Sequence, residues 1–147
     1  MSYRRYAVIL GAAIAVVVLS IPAIAGVPAE PDIRQLIEQY AKSWVEGNPE
    51  QMAKTLSPEF ARQQLIHTPQ RPDKLSASSG LAVLNEAERG QGRDTAMSER
   101  QADVKVLDIG DGMASALLKL GKHVEYLQLV QYQGQWRITQ TLTTGEP

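Results

Sequence analysis

Apolar residues recur at helical spacing between positions 33 and 45. The spacing runs i, i+3, i+4, i+7, i+8, i+11 and i+12, which places these residues on one wide face of an amphipathic helix. Pro31 suits the first helical turn, Asp32 suits the helix dipole there, and Gly47 supplies a C-terminal stop. The pattern predicts a first helix whose buried face consists of Ile33, Leu36, Ile37, Tyr40, Ala41, Trp44 and Val45.

Shorter helices are predicted between the first helix and residue 89. Asn48-Pro49 carries a helix start signal and opens the second helix. A modest helix is also predicted over residues 81 to 89, with Leu81, Leu84 and Ala87 facing inward. Ser57-Pro58-Glu59 repeats the start signal of the second helix, which predicts a further short helix with the apolar residues Phe60, Ala61 and Leu65.

The C-terminal third alternates between apolar and polar residues with a period of two. Turns at residues 110–112, 121–122 and 133–134 contain glycine, so the segment predicts three hairpins that join four strands. The three hairpins agree on one apolar face, and the helices are available to cover it. That face consists of Val104, Val106, Ala114, Ala116, Leu118, Leu120, Leu127, Leu129, Trp136, Ile138 and Leu142.

Simple two-residue pairing across the last two turns predicts the strand register. It sets Glu125 opposite Leu118 on one side and opposite Leu142 on the other, and it sets Gln140 opposite Leu127. Two polar side chains, Glu125 and Gln140, are therefore expected on the apolar inner face.

Helices followed by strands predict an α+β domain over residues 31–144. The expected architecture is a set of N-terminal helices packed on a curved antiparallel sheet.

The first 25 residues have the features of a secretory signal peptide. Arg4 and Arg5 form a positive region, residues 7–19 are apolar, and Ala23-Ile24-Ala25 is a small-x-small cleavage signature. We expect a signal peptide over residues 1–25, a linker over residues 26–30, and export to the periplasm or the exterior. Because residues 7–25 carry no charge, an uncleaved membrane anchor is the alternative, and a membrane is a partner only in that case.

Composition excludes several classes of site. The formal net charge is −1 and no basic run occurs, which argues against nucleic-acid binding. The chain has no cysteine, so disulfides, thiol nucleophiles and thiolate metal sites are excluded. No phosphate-binding glycine loop or nucleophile–base motif is visible, and no cofactor or metal site is predicted.

Five sequence segments carry a family resemblance through their order and spacing. They are Tyr40 with Trp44, Gly47-Asn48-Pro49, Leu56-Ser-Pro-Glu-Phe60, Glu125-Tyr-Leu-Gln-Leu129 and Gly134-Gln-Trp-Arg-Ile138. Over residues 31–143 the chain resembles the nuclear transport factor 2-like superfamily and, within it, the lumazine-binding subgroup.

This resemblance implies a cone-shaped cavity between sheet and helices and a homodimer formed through the sheet. Relatives of this kind include small-molecule binders, isomerases, dehydratases, epoxide hydrolases and protein-interaction domains. Because one fold serves all of these functions, the resemblance alone does not choose among them.

Glu125 is the first candidate for chemistry. A carboxylate in an apolar cavity can act as a general base, and His123, two residues earlier on the same strand face, or Tyr40 could assist it. The structural alternative is that Glu125 is solvated near the open end or pairs with Lys42 or Arg62. His123 beside a turn is equally compatible with a rim position in water.

Aromatic residues predict a wall for a small aromatic or heterocyclic ligand. Tyr40, Trp44, Phe60 and Trp136 would form this wall, and the amide of Gln140 would orient the ligand. The alternative is that the aromatic residues are ordinary core and that Gln140 bonds to a helix carbonyl.

The opposite sheet face is too apolar for a face in water, which favours a homodimer through it. The apolar residues of that face are Leu107, Ile109, Leu117, Val124, Tyr126, Val130 and Tyr132.

Three functions remain open. The leading one is an exported, non-catalytic small-molecule-binding domain. The others are an isomerase, dehydratase or hydrolase with Glu125 as base, and an interaction domain whose cavity is filled by its own side chains.

Overall fold

Six strands form one sheet, and three α-helices cover one of its faces. The computed structural model describes residues 29–145, so the predicted signal segment and most of the predicted linker lie outside the described residues. Two short 3-10 turns, Gln91–Asp94 and Met97–Glu99, follow the third helix. The elements are α1 (Ala29–Glu46), α2 (Pro49–Ala53), β1 (Leu56–Ile66), β2 (Lys74–Ser79), α3 (Gly80–Glu88), β3 (Ala102–Gly110), β4 (Met113–Leu120), β5 (His123–Tyr132) and β6 (Gln135–Gly145).

The strand order in the sheet is β2-β1-β6-β5-β4-β3. All neighbouring strands are antiparallel except β1 and β6, which are parallel. The three predicted hairpins are confirmed, and both turn residues between β5 and β6 have positive φ, 51° at Gln133 and 77° at Gly134. This left-handed conformation at both positions matches the twist of the flanking strands.

The α+β prediction is confirmed, with α1 as the main cover of the sheet. Its residues Ile33 and Ile37 are fully buried against the inner face, and Arg34 donates a hydrogen bond to the carbonyl of Val104 on β3. The helix begins at Ala29, so the last two residues of the predicted linker belong to it. None of the helices within residues 29–145 has the length and apolar composition needed to cross a membrane.

The short helix predicted after Ser57-Pro58-Glu59 is wrong, because this segment is strand β1. Phe60 and Arg62 point to the inner face while Ala61 and Gln63 point outward, a period of two that the polar residues of the segment conceal. Pairing with β2 on one side and β6 on the other satisfies the backbone on both edges, which outweighs a local helix start signal. The sheet therefore has six strands where four were predicted.

A bulge on β6 changes the predicted register. Ile138 pairs with Leu129 as expected, but Gln140 pairs with Gln128, so Thr139 is an extra residue without an opposite partner. Such a bulge shifts every later side chain to the other face.

The two predicted pairs beyond this bulge are therefore wrong. Leu127 lies opposite Thr141, and Glu125 lies opposite Thr143. Gln140 and Leu142 consequently face outward and are exposed, while Thr141 and Thr143 are buried on the inner face.

A second bulge lies beside the first, on β1. Leu56 is next to Ile138 and Ala61 is next to Gln140, so residues 57–60 bulge out of the ladder. Pro58 is tolerated here because a bulge needs no ladder amide at that position. Two adjacent bulges bend the sheet around the helices.

Two smaller predictions also fail. On α3 the predicted inward position of Ala87 is confirmed, but the other buried residue is Val83, and Leu81 is 69% exposed because it lies on the opposite side of the helix. On β3 an irregularity at Leu107 places Ile109 opposite the inner-face residue Ala114, so Ile109 does not belong to the outer apolar face.

Candidate functional site

Glu125 lies on the inner face of β5 and is only 2% exposed. Its neighbour across β4 is Leu118, as predicted. The hydroxyl of Tyr40, which α1 presents from above, donates a hydrogen bond to Oε1 of Glu125 over 3.2 Å. Since the sheet supplies the carboxylate and the helix supplies the hydroxyl, packing of α1 on the sheet builds this pair.

Burial is the main reason why the pKa of Tyr40 lies well above the usual value for a tyrosine, and the adjacent Glu125 carboxylate raises the pKa further. Ionisation would place a buried phenolate next to a carboxylate, so the neutral form is favoured. Tyr40 therefore remains a hydrogen-bond donor to Glu125 across the physiological pH range.

His123 occupies the solvent edge of the same cluster. Its Nε2 atom lies 3.9 Å from Oε2 of Glu125, which is beyond hydrogen-bond length, and its side chain is 45% exposed. Thr143 lies beside both residues: its hydroxyl donates to the carbonyl of Val124 over 2.9 Å and lies 3.5 Å from Nε2 of His123. The predicted His–Glu proximity is present, with His123 at the rim rather than inside.

Arg62 forms the third side of the cluster. Its guanidinium makes an ion pair with Glu86 of α3, and both side chains are largely buried. Within residues 29–145, Nε of Arg62 is buried and has no hydrogen-bond partner. A buried donor without a partner costs free energy, so an acceptor that reached Nε would recover that cost.

The cavity between these groups is small. Its volume is about 40 Å³, and it is lined by residues of α1, β1, β4 and β5, namely Tyr40, Ala41, Trp44, Arg62, Leu118, Leu120, His123 and Glu125. One water needs about 10 to 15 Å³ on this measure, so the cavity holds a few atoms and not a whole ring. A larger ligand has to insert one edge and leave the remainder at the mouth.

Trp44 is held in the cavity wall by the segment after α3. Gly92 approaches the carbonyl of Trp44 so closely that a Cβ atom at position 92 would lie 2.2 Å from that oxygen. Only glycine permits this contact. Gly92 therefore packs directly against both the backbone and the indole of Trp44.

Some of the residues predicted for the site come together, and others do not. Tyr40, Trp44, His123 and Glu125 line one cavity. Phe60 is buried and Trp136 is partly buried in the hydrophobic core, and neither lines the cavity. Of the four aromatic residues predicted to form a wall, Tyr40 and Trp44 therefore line the cavity, whereas Phe60 and Trp136 belong to the core.

The prediction for Gln140 is wrong in orientation. The extra residue Thr139 turns Gln140 to the outer face, where it pairs with the exposed Gln128. Its amide therefore cannot orient a ligand in the cavity around Glu125.

Sequence reasoning missed Glu86 and Thr143 and placed Arg62 on a helix. The signal that could have found them is the period of two over residues 60–65. Interpreted as a strand, this segment places Phe60, Arg62 and Gln64 on one face. Elsewhere in residues 29–145, no three His, Asp or Glu side chains lie close enough together to hold a metal ion.

Comparisons with known proteins bear on the fold. No protein-family model matches the chain, and no curated protein matches it. Among solved structures, a nuclear transport factor 2-like protein of unknown function from Shewanella baltica is similar with a TM-score of 0.56 at 12% identity, covering 78% of this chain and 90% of that one.

Two further structures agree. A nuclear transport factor 2-like protein of unknown function from Silicibacter pomeroyi has a TM-score of 0.55 at 15% identity, covering 78% of this chain and 92% of that one. Another from Methylobacillus flagellatus has a TM-score of 0.55 at 12% identity, covering 82% and 94%. At these identities the likeness concerns the fold alone: the chain has the nuclear transport factor 2-like fold.

Proposed function

We propose that this protein is an exported domain that binds a small molecule in the cavity around Glu125 without transforming it. The observation that carries the proposal is that two charged residues of the cavity wall, Glu125 and Arg62, have hydrogen-bonding capacity left over. Glu125 accepts a hydrogen bond from Tyr40 and from no other described residue, and Nε of Arg62 has no acceptor among them.

Together these groups favour a ligand that presents a donor and an acceptor side by side. A carboxylate has about four lone-pair sites, so Glu125 can accept an N–H from the ligand while Arg62 donates to a neighbouring carbonyl. An amide or ureide edge, as in a flat nitrogen heterocycle, has this arrangement. Trp44 and His123 at the mouth would contact the part of the ring that stays outside.

Binding of defined probes tests the proposal. Ligand-observed NMR with acetamide, urea, uracil and lumazine is expected to show binding by the ureides, and Glu125→Gln is expected to weaken it about tenfold. Glu88→Gln is the matched control, because Glu88 lies exposed on α3 outside the cavity. Binding that is equal in both variants, or absent for all four probes, would falsify the proposal.

The enzyme alternative uses the same residues and gives a different result. His123 near Glu125 could relay a proton, in which case Glu125→Gln would abolish turnover of a bound ligand. Recovery of every probe unchanged after prolonged incubation with the protein supports binding without catalysis. Conversion of a probe that Glu125→Gln stops would replace the binding proposal with the enzyme.

A second candidate function is an interaction domain without ligand. The observation that favours it is the cavity volume of about 40 Å³, well below the roughly 300 to 1,000 Å³ of ordinary ligand pockets. The two functions differ in what purified protein carries: native mass spectrometry is expected to show a retained small molecule only if the cavity is a binding site.

We also propose that two copies associate through the outer sheet face, as a homodimer. Tyr126 is 51% exposed there and lies between Leu117 of β4 and Leu142 of β6, which the bulge has turned outward. An apolar row of this kind in the middle of a face is suited to contact its own two-fold copy. Light scattering is expected to give a dimer, and Tyr126→Lys a monomer with an unchanged circular dichroism spectrum.

Export rests on the sequence of residues 1–25 and remains a proposal, with a membrane anchor over residues 7–25 as its alternative. Mass spectrometry of the protein from its host is expected to show a chain that begins near Gly26. An intact N-terminus in the membrane fraction would establish the anchor.

A further inference from the structure

A second and much larger opening lies at the other end of β5, and we call it the notch. Its volume is about 610 Å³, and its walls come from α2, the start of β1, α3 and the hairpin between β5 and β6. The lining is mainly apolar, and Arg137 is the one charged side chain among the described lining residues. Its lining residues include Leu56, Pro58, Leu81, Leu84, Tyr132 and Arg137.

An unpaired strand edge borders the notch. Residues 135–137 of β6 pair with β5, whereas β1 reaches β6 only at Ile138, through Leu56. The bulge over residues 57–60 then carries β1 away from the ladder. The first three residues of β6 therefore have β5 on one side and no strand on the other, and Gln135 and Arg137, which flank Trp136, line the notch.

The hydrogen-bond alternation of the hairpin shows which groups face this edge. In a two-residue hairpin the first pair, Tyr132 with Gln135, is hydrogen-bonded, so the N–H and C=O of Trp136 point away from β5. Ile138 has the same parity, and its N–H donates outward to the carbonyl of Thr55 over 2.9 Å. The amide of Trp136 is thus the next ladder position along the same edge.

Arg137 lies along this edge. Its Nη1 donates to the carbonyl of Trp136 over 3.0 Å, and its Nη2 donates to Oε1 of Gln135 over 2.5 Å. Both acceptors are neutral, so the positive charge has no counterion among these contacts. A carboxylate that enters the notch would supply one.

Exposed apolar surface completes the site. Leu81 is 69% exposed and Tyr132 is 44% exposed, and both face the notch together with the partly buried Leu84. Exposure of leucine on a helix beside an open strand edge leaves apolar surface that one side chain of a ligand could cover.

We propose that the notch binds an extended peptide segment of a partner protein, added as a strand to the free edge of β6. The peptide backbone accepts a hydrogen bond from the N–H of Trp136 and replaces Arg137 as the donor to the Trp136 carbonyl. An apolar side chain packs against Leu81 and Leu84, and a carboxylate binds the released guanidinium of Arg137. Strand addition of this kind draws affinity from main-chain hydrogen bonds and specificity from alternate side chains. The open ladder position favours a peptide over a compact small molecule, which would leave the Trp136 amide unused.

The experiment uses a fluorescein-labelled hexapeptide of alternating valine and threonine that ends in leucine with a free carboxylate. Fluorescence polarisation with the purified protein is expected to show saturable binding. The same peptide with a C-terminal amide is expected to bind about tenfold more weakly, because the charge partner of Arg137 is removed. The same peptide with alternate backbone amides N-methylated is expected not to bind, since it cannot form a ladder.

Three variants locate the binding. Arg137→Gln is expected to remove the preference for the carboxylate over the amide, while Arg89→Gln, an exposed arginine outside the notch, retains it. Leu81→Gln is expected to weaken both peptides about tenfold without loss of stability, because the leucine is already exposed. Glu125→Gln is expected to bind the peptides like the wild type, which separates this site from the cavity around Glu125.

Several results would overturn the proposal. Equal binding of the N-methylated peptide would show that no strand is added. No saturable binding up to millimolar concentration would mean that Arg137 protects the edge against pairing. Saturable binding of decanoate that Arg137→Gln abolishes, without peptide binding, would make the notch a site for small anionic amphiphiles.

Discussion

The cavity around Glu125 and the notch lie toward opposite ends of β5, and they contrast in volume and in chemistry. The first encloses about 40 Å³ among Tyr40, Arg62, His123 and Glu125. The second offers about 610 Å³, yet Arg137 is the one charged group among its described lining residues. The larger space therefore has the poorer chemistry, and the smaller space has the buried carboxylate of Glu125 and the largely buried guanidinium of Arg62.

This difference follows from how the sheet is covered. Around Glu125, α1 and α3 close over the inner face, so polar groups lose water and must find partners among themselves. At the notch the bulge in β1 leaves a strand edge uncovered, so solvent reaches apolar and polar groups alike. A choice made by cavity volume alone would therefore select the notch, which has fewer ionisable side chains than the cavity around Glu125.

The largest predicted effect tests whether the covered inner face of the sheet and the notch differ in burial. Phe60→Ala is expected to destabilise the protein by about 3 to 5 kcal/mol, because a fully packed ring between β1 and α3 is replaced by a cavity. Leu81→Ala, at the notch, is expected to change stability by less than about 0.5 kcal/mol. Urea unfolding measures both, and similar costs would contradict the contrast.

The next effect concerns the ion pair in the covered region. Arg62→Met keeps the apolar stem but leaves Glu86 largely buried without its partner, and we expect a loss of about 3 kcal/mol. The second substitution Glu86→Gln should recover most of it, since the unpaired charge is then gone. The matched control is Arg89→Met at an exposed position, and an equal cost there would mean that the Arg62–Glu86 pair contributes nothing special.

A smaller effect depends on pH. Tyr40→Phe removes the hydrogen bond to Glu125 and is expected to cost about 2 kcal/mol near neutral pH. Because the pKa of Tyr40 is raised on folding, its contribution is fully present below the unfolded value of about 10 and is lost as the pH rises from there through the folded pKa.

The difference between wild type and Tyr40→Phe should therefore narrow above about pH 10. Unfolding free energies measured across this range give the test, with Tyr126→Phe as an exposed control. A difference that stays constant to the highest accessible pH would mean that Tyr40 ionises as readily folded as unfolded.

The predictability of each region depends on how local its determinants are. The three hairpins and the inward position of Glu125 follow from turns and alternation close in sequence, and the structure confirms them. Strand β1 was misread because its partners, β2 and β6, lie on both sides of it and β6 is about 80 residues away along the chain. With β1 unseen, Arg62 could be suggested as a partner of Glu125 only as a helix residue, and its observed ion pair with Glu86 was missed.

The bulge at Thr139 has no local signal at all. Threonine is an ordinary strand residue, and whether one extra residue is accommodated depends on the shape of β1 next to it. This one residue decides that Thr141 and Thr143, rather than Gln140 and Leu142, face the helices.

The two threonines provide the finest test of this register. Both are buried on the inner face, but Thr143 donates to the carbonyl of Val124, whereas Oγ1 of Thr141 has no partner within residues 29–145. Replacing a buried, unpaired hydroxyl with a methyl group of the same shape removes a desolvation cost, so Thr141→Val is expected to stabilise the protein by about 1 kcal/mol. Thr143→Val is expected to destabilise it by a similar amount, because the Val124 carbonyl loses its side-chain donor. Opposite signs in urea unfolding would establish the shifted register and the different roles of two neighbouring inward positions; the same sign in both would mean that the hydroxyls have equivalent surroundings.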